Sequence, residues 1–115
     1  METIKEYEVE VTSKAKLHYF EILEYFYDHM SYDSATRKSE ELYTSIHSLK
    51  ILPERGQLEL SLQYLKKGHR YLLYQCTSRT TIKIIYFVDK DRDVVYVTDF
   101  FPTEMDGRKI KDRND

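Results

Sequence analysis

The chain begins with a short segment in which apolar and charged side chains alternate. Residues 7–11 read Tyr-Glu-Val-Glu-Val, so an apolar residue recurs at every second position. A period of two is typical of a β-strand that has one face on the core and the other toward water. The sequence therefore predicts a first, half-exposed strand.

Two apolar stripes with helical spacing come next. The first stripe consists of Ala15, Tyr19, Ile22, Phe26 and Met30. The second consists of Ala35, Leu42, Ile46 and Leu49. Either Thr12 or Ser13 can cap the first helix, and Ser31 can cap the second. Pro53 should force Leu52 out of helical conformation, so the pattern predicts a helical hairpin that ends before Pro53.

The remaining apolar segments have the composition of strands. Residues 53–68 contain a proline, two glycines and no clear period, which indicates a connecting segment with room for one short strand. Residues 70–77 and 81–89 are rich in tyrosine and branched side chains and are separated by a polar turn. Residues 94–101 form a third such segment before Pro102. We expect a three-stranded antiparallel meander.

These elements predict an α+β fold in a single domain over residues 1–102. The sheet should have four strands, with the first strand paired to a strand of the later meander and both helices packed on one face. Beyond Pro102, eight of the thirteen residues 103–115 are charged. Such a composition is typical of a solvated chain terminus, so this segment is predicted to be a loose charged tail.

Composition supports one small soluble domain. The chain has 115 residues, of which 41% are hydrophobic and 33% charged, and this length can bury one core. Cys76 is the only cysteine, so no internal disulfide can form, and we expect a cytoplasmic protein. No apolar run has the length of a signal peptide core or a membrane span, so neither export nor membrane insertion is expected.

Charge is distributed unevenly along the chain. The net charge is −2, with 7 basic and 12 acidic residues through Leu65 and 11 basic and 8 acidic residues from Lys66 onward. If the protein meets a polyanion, its second half should make the contact. The basic excess is nevertheless much smaller than that of a dedicated nucleic-acid-binding protein.

Motifs for metal or cofactor binding are missing from the sequence. It contains no glycine-rich phosphate loop, no CxxC and no HExxH. Four histidines are scattered along the chain and only one cysteine accompanies them, so no pair has the spacing of metal ligands. We predict neither a metal ion nor an organic cofactor.

Four potential cations lie together where the second half of the chain enters its first strand. They are Lys66, Lys67, His69 and Arg70. They could form a solvated edge that discourages aggregation of the sheet. Alternatively, Arg70 is in register with Leu72 and Tyr74, which would place a guanidinium on a sheet face beside aromatic rings. A guanidinium there suits a phosphate or carboxylate of a partner, which makes the four residues a candidate anion-binding site.

The order of these segments resembles the RelE/ParE superfamily of bacterial toxins. The similarity is carried by SIHSLKILPERG at the end of the helical hairpin, by GHRYLLYQ entering the sheet, and by IKIIYFVDKDRDVVYVTDFF at its end. It covers nearly all of residues 7–102. The resemblance implies the toxin half of a type II toxin-antitoxin (plasmid stabilisation) module that is held inactive by a cognate antitoxin. The RelE branch cleaves messenger RNA on the ribosome, whereas the ParE branch poisons DNA gyrase.

The resemblance also suggests roles for individual residues. Arg70 falls on the family arginine that, in the RelE branch, contacts the scissile phosphate, and Lys66 or Lys67 could supply further positive charge. Metal-free RNA cleavage also needs a proton donor and acceptor. Relatives often have an arginine after the last strand, where this chain has Glu104, and a carboxylate there either repels RNA or acts as the base. Arg70 and Glu104 are therefore the candidate catalytic residues.

Three interpretations of function follow from the sequence. A ParE-like inhibitor would bind gyrase or another target without chemistry, and the negative net charge and Glu104 favour it. A RelE-like endoribonuclease is favoured by Arg70 after two lysines. A decayed toxin would retain only antitoxin binding. We expect the ParE-like inhibitor, with the antitoxin covering exposed tyrosines on the sheet face or the helical hairpin.

Overall fold

The structure, a computed structural model that describes residues 4–114, has the α+β architecture predicted from the sequence. Its elements are β1 (Glu8–Val11), α1 (Ser13–His29), α2 (Tyr32–His47), β2 (Gln57–Leu58), β3 (Arg70–Gln75), β4 (Thr81–Asp89), β5 (Val94–Pro102) and α3 (Lys109–Asn114). Residues 1–3 of the predicted domain and Asp115 of the predicted tail lie outside the described residues.

One mixed sheet runs in the order β1-β5-β4-β3-β2. β1 is parallel to β5, with Val9 opposite Val95, and the other pairs are antiparallel. The prediction that the first strand pairs with the meander is confirmed. The prediction of four strands is wrong, because β2 adds a fifth strand at the edge beside Arg70 and Tyr71. Two residues are too few to produce an alternating pattern in the sequence.

The helical hairpin begins at the predicted caps and ends before Pro53, as predicted. The Thr12 side chain accepts a hydrogen bond from the Ala15 amide, and Ser31 caps α2 in the same way. The α-helix stops at His47 and continues as a 3-10 turn, Ser48–Lys50. Leu52 leaves helical conformation as expected, but it takes the left-handed region with a φ of 49°.

The main core lies between the hairpin and one face of the sheet. It combines apolar side chains of α1 and α2 with alternate residues of three strands, including Ile22, Leu42, Ile84, Val97 and Phe100. The two predicted helical stripes form the helical side of this core, so the packing of both hairpin helices on one face is confirmed.

The opposite face of the sheet is covered as well, which the sequence-based prediction missed. A 3-10 helix, Leu60–Leu65, and α3 enclose a second cluster made of Leu62, Ile85, Phe101 and Ile110. The segment predicted as a loose tail therefore ends in a helix whose Ile110 is only 2% exposed. The physical reason is that β4 and β5 carry apolar residues at consecutive positions, and a strand of that kind needs cover on both faces.

Candidate functional site

The predicted cation cluster at the start of β3 is split between the two faces of the sheet. Arg70 is directly opposite Tyr86 on β4, so its side chain is on the face that packs against the hairpin. His69 contacts Phe87, the next residue of β4, on the other face. Because successive side chains of a strand point to opposite faces, the four residues cannot grip one anion together.

Arg70 holds the turn that precedes β2. Its guanidinium Nη1 donates a 2.8 Å hydrogen bond to the carbonyl oxygen of Gly56. The hydroxyl of Tyr86 donates to the Pro53 carbonyl and accepts from the Gly56 amide at 3.1 Å. Arg70 and Tyr86 thus fasten this turn to the strands, and Arg70 has an internal structural partner that the sequence did not reveal.

An ion pair lies near Arg70. Glu54 and Lys90 form an ion pair of 2.9 Å. The hydrogen bond and charge of Lys90, with a smaller contribution from Arg70, hold the pKa of Glu54 below its ordinary value. Glu54 is therefore ionised at neutral pH and lies within the electrostatic reach of Arg70.

His69 and Lys67 belong to an aromatic row on the other face. The His69 ring lies edge-on to Phe87 at 5.0 Å, Phe87 lies 5.3 Å from Tyr96, and the Lys67 ammonium sits 5.0 Å from the centre of the Phe87 ring. His69 is 4% exposed, and its burial, assisted by the charge of Lys67, lowers the pKa of its imidazole. Burial thus favours the uncharged imidazole at neutral pH, so His69 adds little positive charge to the predicted cluster.

Lys66 has a different role from its neighbours. It ends the 3-10 helix Leu60–Leu65 in the left-handed region with a φ of 58°, and its side chain is exposed. Lys66 and Lys67 are thus the two predicted cations that remain at the surface. Of the predicted anion-binding residues, these two alone are placed side by side in solvent.

Glu104 is far from Arg70. It follows β5 at the end of the sheet where Ile82 opposes Pro102, whereas Arg70 is at the other end, opposite Tyr86. Four steps along β4 separate these positions, or roughly 13 Å. Glu104 lies instead near the buried thiol of Cys76, whose pKa rises to about 11 mainly through burial, with a contribution from Glu104. Arg70 and Glu104 do not form one catalytic centre.

A buried ionic cluster joins α1, β5 and α3, and sequence reasoning missed it. The fully buried carboxylate of Asp99 accepts hydrogen bonds from Arg113 at 2.7 Å and Asn114 at 3.1 Å, and it lies 2.8 Å from Nδ1 of His18. The available signal was the position of Asp99 within a largely apolar strand, since a charge there needs partners. The cluster anchors α3 to the sheet.

A second ion pair on the same face was also missed. Lys83 on β4 lies 2.8 Å from Glu59 and 4.3 Å from the centre of the Tyr71 ring. Burial raises the pKa of Glu59, but hydrogen bonds from Lys83 and Ser61 outweigh burial and leave the pKa below its ordinary value. This pair fastens the segment before the 3-10 helix to β4.

The tyrosines of the sheet and of the 3-10 helix Leu60–Leu65 are mostly engaged within the fold. Tyr74 belongs to the main core, where burial raises its pKa to about 12, and Tyr71 packs on the second cluster. Tyr96 contacts Phe87, and the Tyr64 ring lies 4.9 Å from the Lys111 ammonium. The strongly exposed tyrosines are instead on the hairpin, where Tyr32 and Tyr43 are more than half exposed. The hairpin is therefore the better candidate for a protein-binding surface than the sheet face.

Within residues 4–114, no group of three or more histidine, cysteine or acidic side chains is arranged to hold a metal ion. No helix in this part of the chain is long and apolar enough to cross a membrane. No protein-family model matches the sequence, and no curated protein is significantly similar to it. The functional interpretation therefore rests on the sequence pattern and the geometry of the fold.

Proposed function

We propose that the protein is the toxin component of a type II toxin-antitoxin system and that it acts, like the ParE branch, by binding a target such as DNA gyrase. The observation that carries the proposal is the arrangement of the elements. A first strand pairs with the last strand of an antiparallel meander, and the intervening hairpin packs on one face. The sequence resemblance to RelE/ParE toxins implies the same order of strand, helical hairpin and antiparallel meander, and this order supports the proposal.

The separation of the candidate catalytic groups favours binding over chemistry. Cleavage of RNA without a metal needs an acid, a base and a cation around one phosphate. Here Arg70 is bonded to the Gly56 carbonyl, His69 is buried and neutral, and Glu104 is at the other end of the sheet. The endoribonuclease alternative would require another set of residues.

The proposal includes neutralisation by a cognate antitoxin that covers the outer side of the hairpin. Large apolar side chains are exposed there on both helices, among them Leu17, Phe20, Tyr32 and Tyr43. Exposed apolar surface of this kind is typical of protein-binding sites. A co-expressed antitoxin should therefore co-purify with the chain, and substitution of Phe20 by serine should weaken the complex.

The decisive experiment is controlled expression in a bacterial host without antitoxin. We expect wild type to arrest growth, to inhibit supercoiling by purified gyrase and to leave transcripts intact. Phe20→Ser should leave the fold intact because Phe20 is 61% exposed. When the antitoxin is then co-expressed, it should relieve the growth arrest caused by Phe20→Ser less completely than that caused by wild type. Leu60→Ser, at an exposed leucine outside the hairpin, is the matched control.

Each alternative has its own result in this experiment. Cleaved transcripts with unchanged supercoiling would replace the ParE-like mechanism by the endoribonuclease. Normal growth together with a stable antitoxin complex would identify a decayed toxin. Normal growth without any antitoxin complex would contradict the toxin proposal as a whole.

A further inference from the structure

A groove of about 700 Å³ lies between the segment before β1 and the turn before β2. Its apolar lining comes from Ile4 and Tyr7 on one side and from Leu52 and Pro53 on the other. Ile4 is 65% exposed and Leu52 is 69% exposed. Two large aliphatic side chains thus remain in contact with solvent across an open groove.

Leu52 is held in this exposed position against its backbone preference. Its φ of 49° and ψ of 54° are in the left-handed region, which costs a non-glycine residue free energy. The Leu52 carbonyl accepts hydrogen bonds from the amide and the guanidinium of Arg55, and the same guanidinium also binds the Ile51 carbonyl. Strain of this kind is concentrated at ligand clamps and active sites, and here it holds an apolar side chain at the rim of a groove.

The charge around the groove is positive. Lys5 pairs with Asp93 and Lys90 pairs with Glu54, so these four charges balance. The hydrogen-bond acceptors of Arg55 within residues 4–114 are backbone carbonyls and a serine hydroxyl, and that of Arg70 is the Gly56 carbonyl. Because uncharged acceptors do not neutralise a guanidinium, Arg55 leaves one uncompensated positive charge in the groove lining. Arg70 lies outside the lining, within electrostatic reach of Glu54, and adds to the positive potential beside the groove.

We propose that this groove binds an acidic peptide segment of a protein partner. An apolar anchor side chain of the segment packs between Leu52 and Ile4, and a carboxylate of the segment lies beside the guanidinium of Arg55, which lines the groove. The apolar lining distinguishes such a peptide from a nucleic acid, which would need more uncompensated cations along its backbone. This inference concerns a different surface from the hairpin and does not depend on toxin activity.

The proposal can be tested with synthetic peptides of twelve residues and methyl NMR. The acidic probe carries two leucines four positions apart among glutamates, and matched probes replace the glutamates by glutamine or by lysine. We expect the acidic probe to shift the methyl signals of Ile4 and Leu52 with the highest affinity, and the affinity to fall as salt rises. Equal or stronger binding of the lysine probe, or no shifts at millimolar peptide, would overturn the proposal.

Leu52→Gly separates binding from folding. Glycine adopts a positive φ without strain, so this variant should be at least as stable as wild type while it loses the anchor contact. We expect about a tenfold loss of affinity for the acidic probe, which corresponds to the burial of part of one leucine side chain. Leu60→Gly removes an equally exposed leucine elsewhere and should bind like wild type. Unchanged binding by Leu52→Gly would contradict the proposal.

Two further binding measurements test other occupants of the groove. A single-stranded RNA oligonucleotide that displaces the acidic peptide and binds more tightly would replace the peptide proposal. A chain that starts at Ile4 tests whether the groove serves residues 1–3 of the same molecule. If only the shortened chain binds the peptide, the groove is an internal docking site and the proposal fails; equal binding by both chains supports it.

Discussion

Gly56 is the residue at which the turn before β2 meets the sheet. Its amide donates to the Tyr86 hydroxyl and its carbonyl accepts from Arg70. A Cβ atom at this position would lie 2.2 Å from the Tyr86 hydroxyl oxygen and 2.8 Å from the Tyr71 carbonyl oxygen. The contact that accounts for Arg70 therefore depends on the absence of a side chain at position 56.

We predict that Gly56→Ala destabilises the protein by about 2 kcal/mol or more, because the added methyl group forces the turn away from the strands. Urea denaturation followed by circular dichroism measures the change. Gly107→Ala is the matched control, since a Cβ there meets nothing within 4 Å, and its effect should stay within about 0.5 kcal/mol. Equal stability of the two variants would show that the turn adapts without cost.

His69 should make folding stability depend on pH. Burial lowers its pKa in the folded protein below the ordinary value of 6.5, so the unfolded chain binds this proton more readily. The stabilisation is present above pH 6.5 and is lost as pH falls, with a slope of at most about 1.4 kcal/mol per pH unit for one proton.

The measurement is the free energy of unfolding of wild type and His69→Gln between pH 7.5 and 5. Wild type should lose stability relative to His69→Gln as the pH falls through 6.5. A constant difference between wild type and His69→Gln would mean that His69 is protonated equally in both states.

At the scale of elements, α3 is a structural part of the domain. It lies on the second face of the sheet through Ile110 and is tied to β5 by the hydrogen bonds of Arg113 and Asn114 to Asp99. A buried carboxylate that loses its partners is strongly destabilising. The short length of the helix matters little, because its stability comes from these contacts.

We therefore predict that Ile110→Ala destabilises the protein by about 2–4 kcal/mol and that truncation after Arg108 costs more, because it also removes two donors from Asp99. Thermal and urea unfolding measure both changes. Asp112→Ala, at an exposed position of the same helix, is the control and should change stability by about 0.5 kcal/mol or less. A truncated chain as stable as wild type would restore the interpretation of a loose tail.

At the scale of the whole molecule, β4 and β5 connect two layers. The hairpin covers one face of these strands, and the 3-10 helix Leu60–Leu65 with α3 covers the other. The two surfaces proposed for partners are the outer side of the hairpin and the groove beside Leu52. They are distinct surfaces, so antitoxin binding and binding of an acidic peptide can be tested separately by Phe20→Ser and Leu52→Gly.

The sequence did not reveal the tertiary partners of the candidate site residues. Lys66, Lys67, His69 and Arg70 are neighbours in the chain, but strand geometry sends His69 and Arg70 to opposite faces. Their partners, Phe87 and Gly56, are distant in sequence, and no local pattern specifies them. The partners of Asp99 could not be predicted for the same reason, although the sequence shows that Asp99 lies in a largely apolar strand.

Local patterns by themselves determined the α+β class, the capped helical hairpin and the three long strands, since periodicity, capping residues and prolines act over a few neighbouring positions. The tertiary structure decided how the remaining pieces combine. It added β2, brought α3 onto the second face, left His69 neutral and gave Arg70 the Gly56 carbonyl as its partner. Burial and hydrogen bonding between distant segments control all four outcomes, and these interactions exist only once the chain has folded.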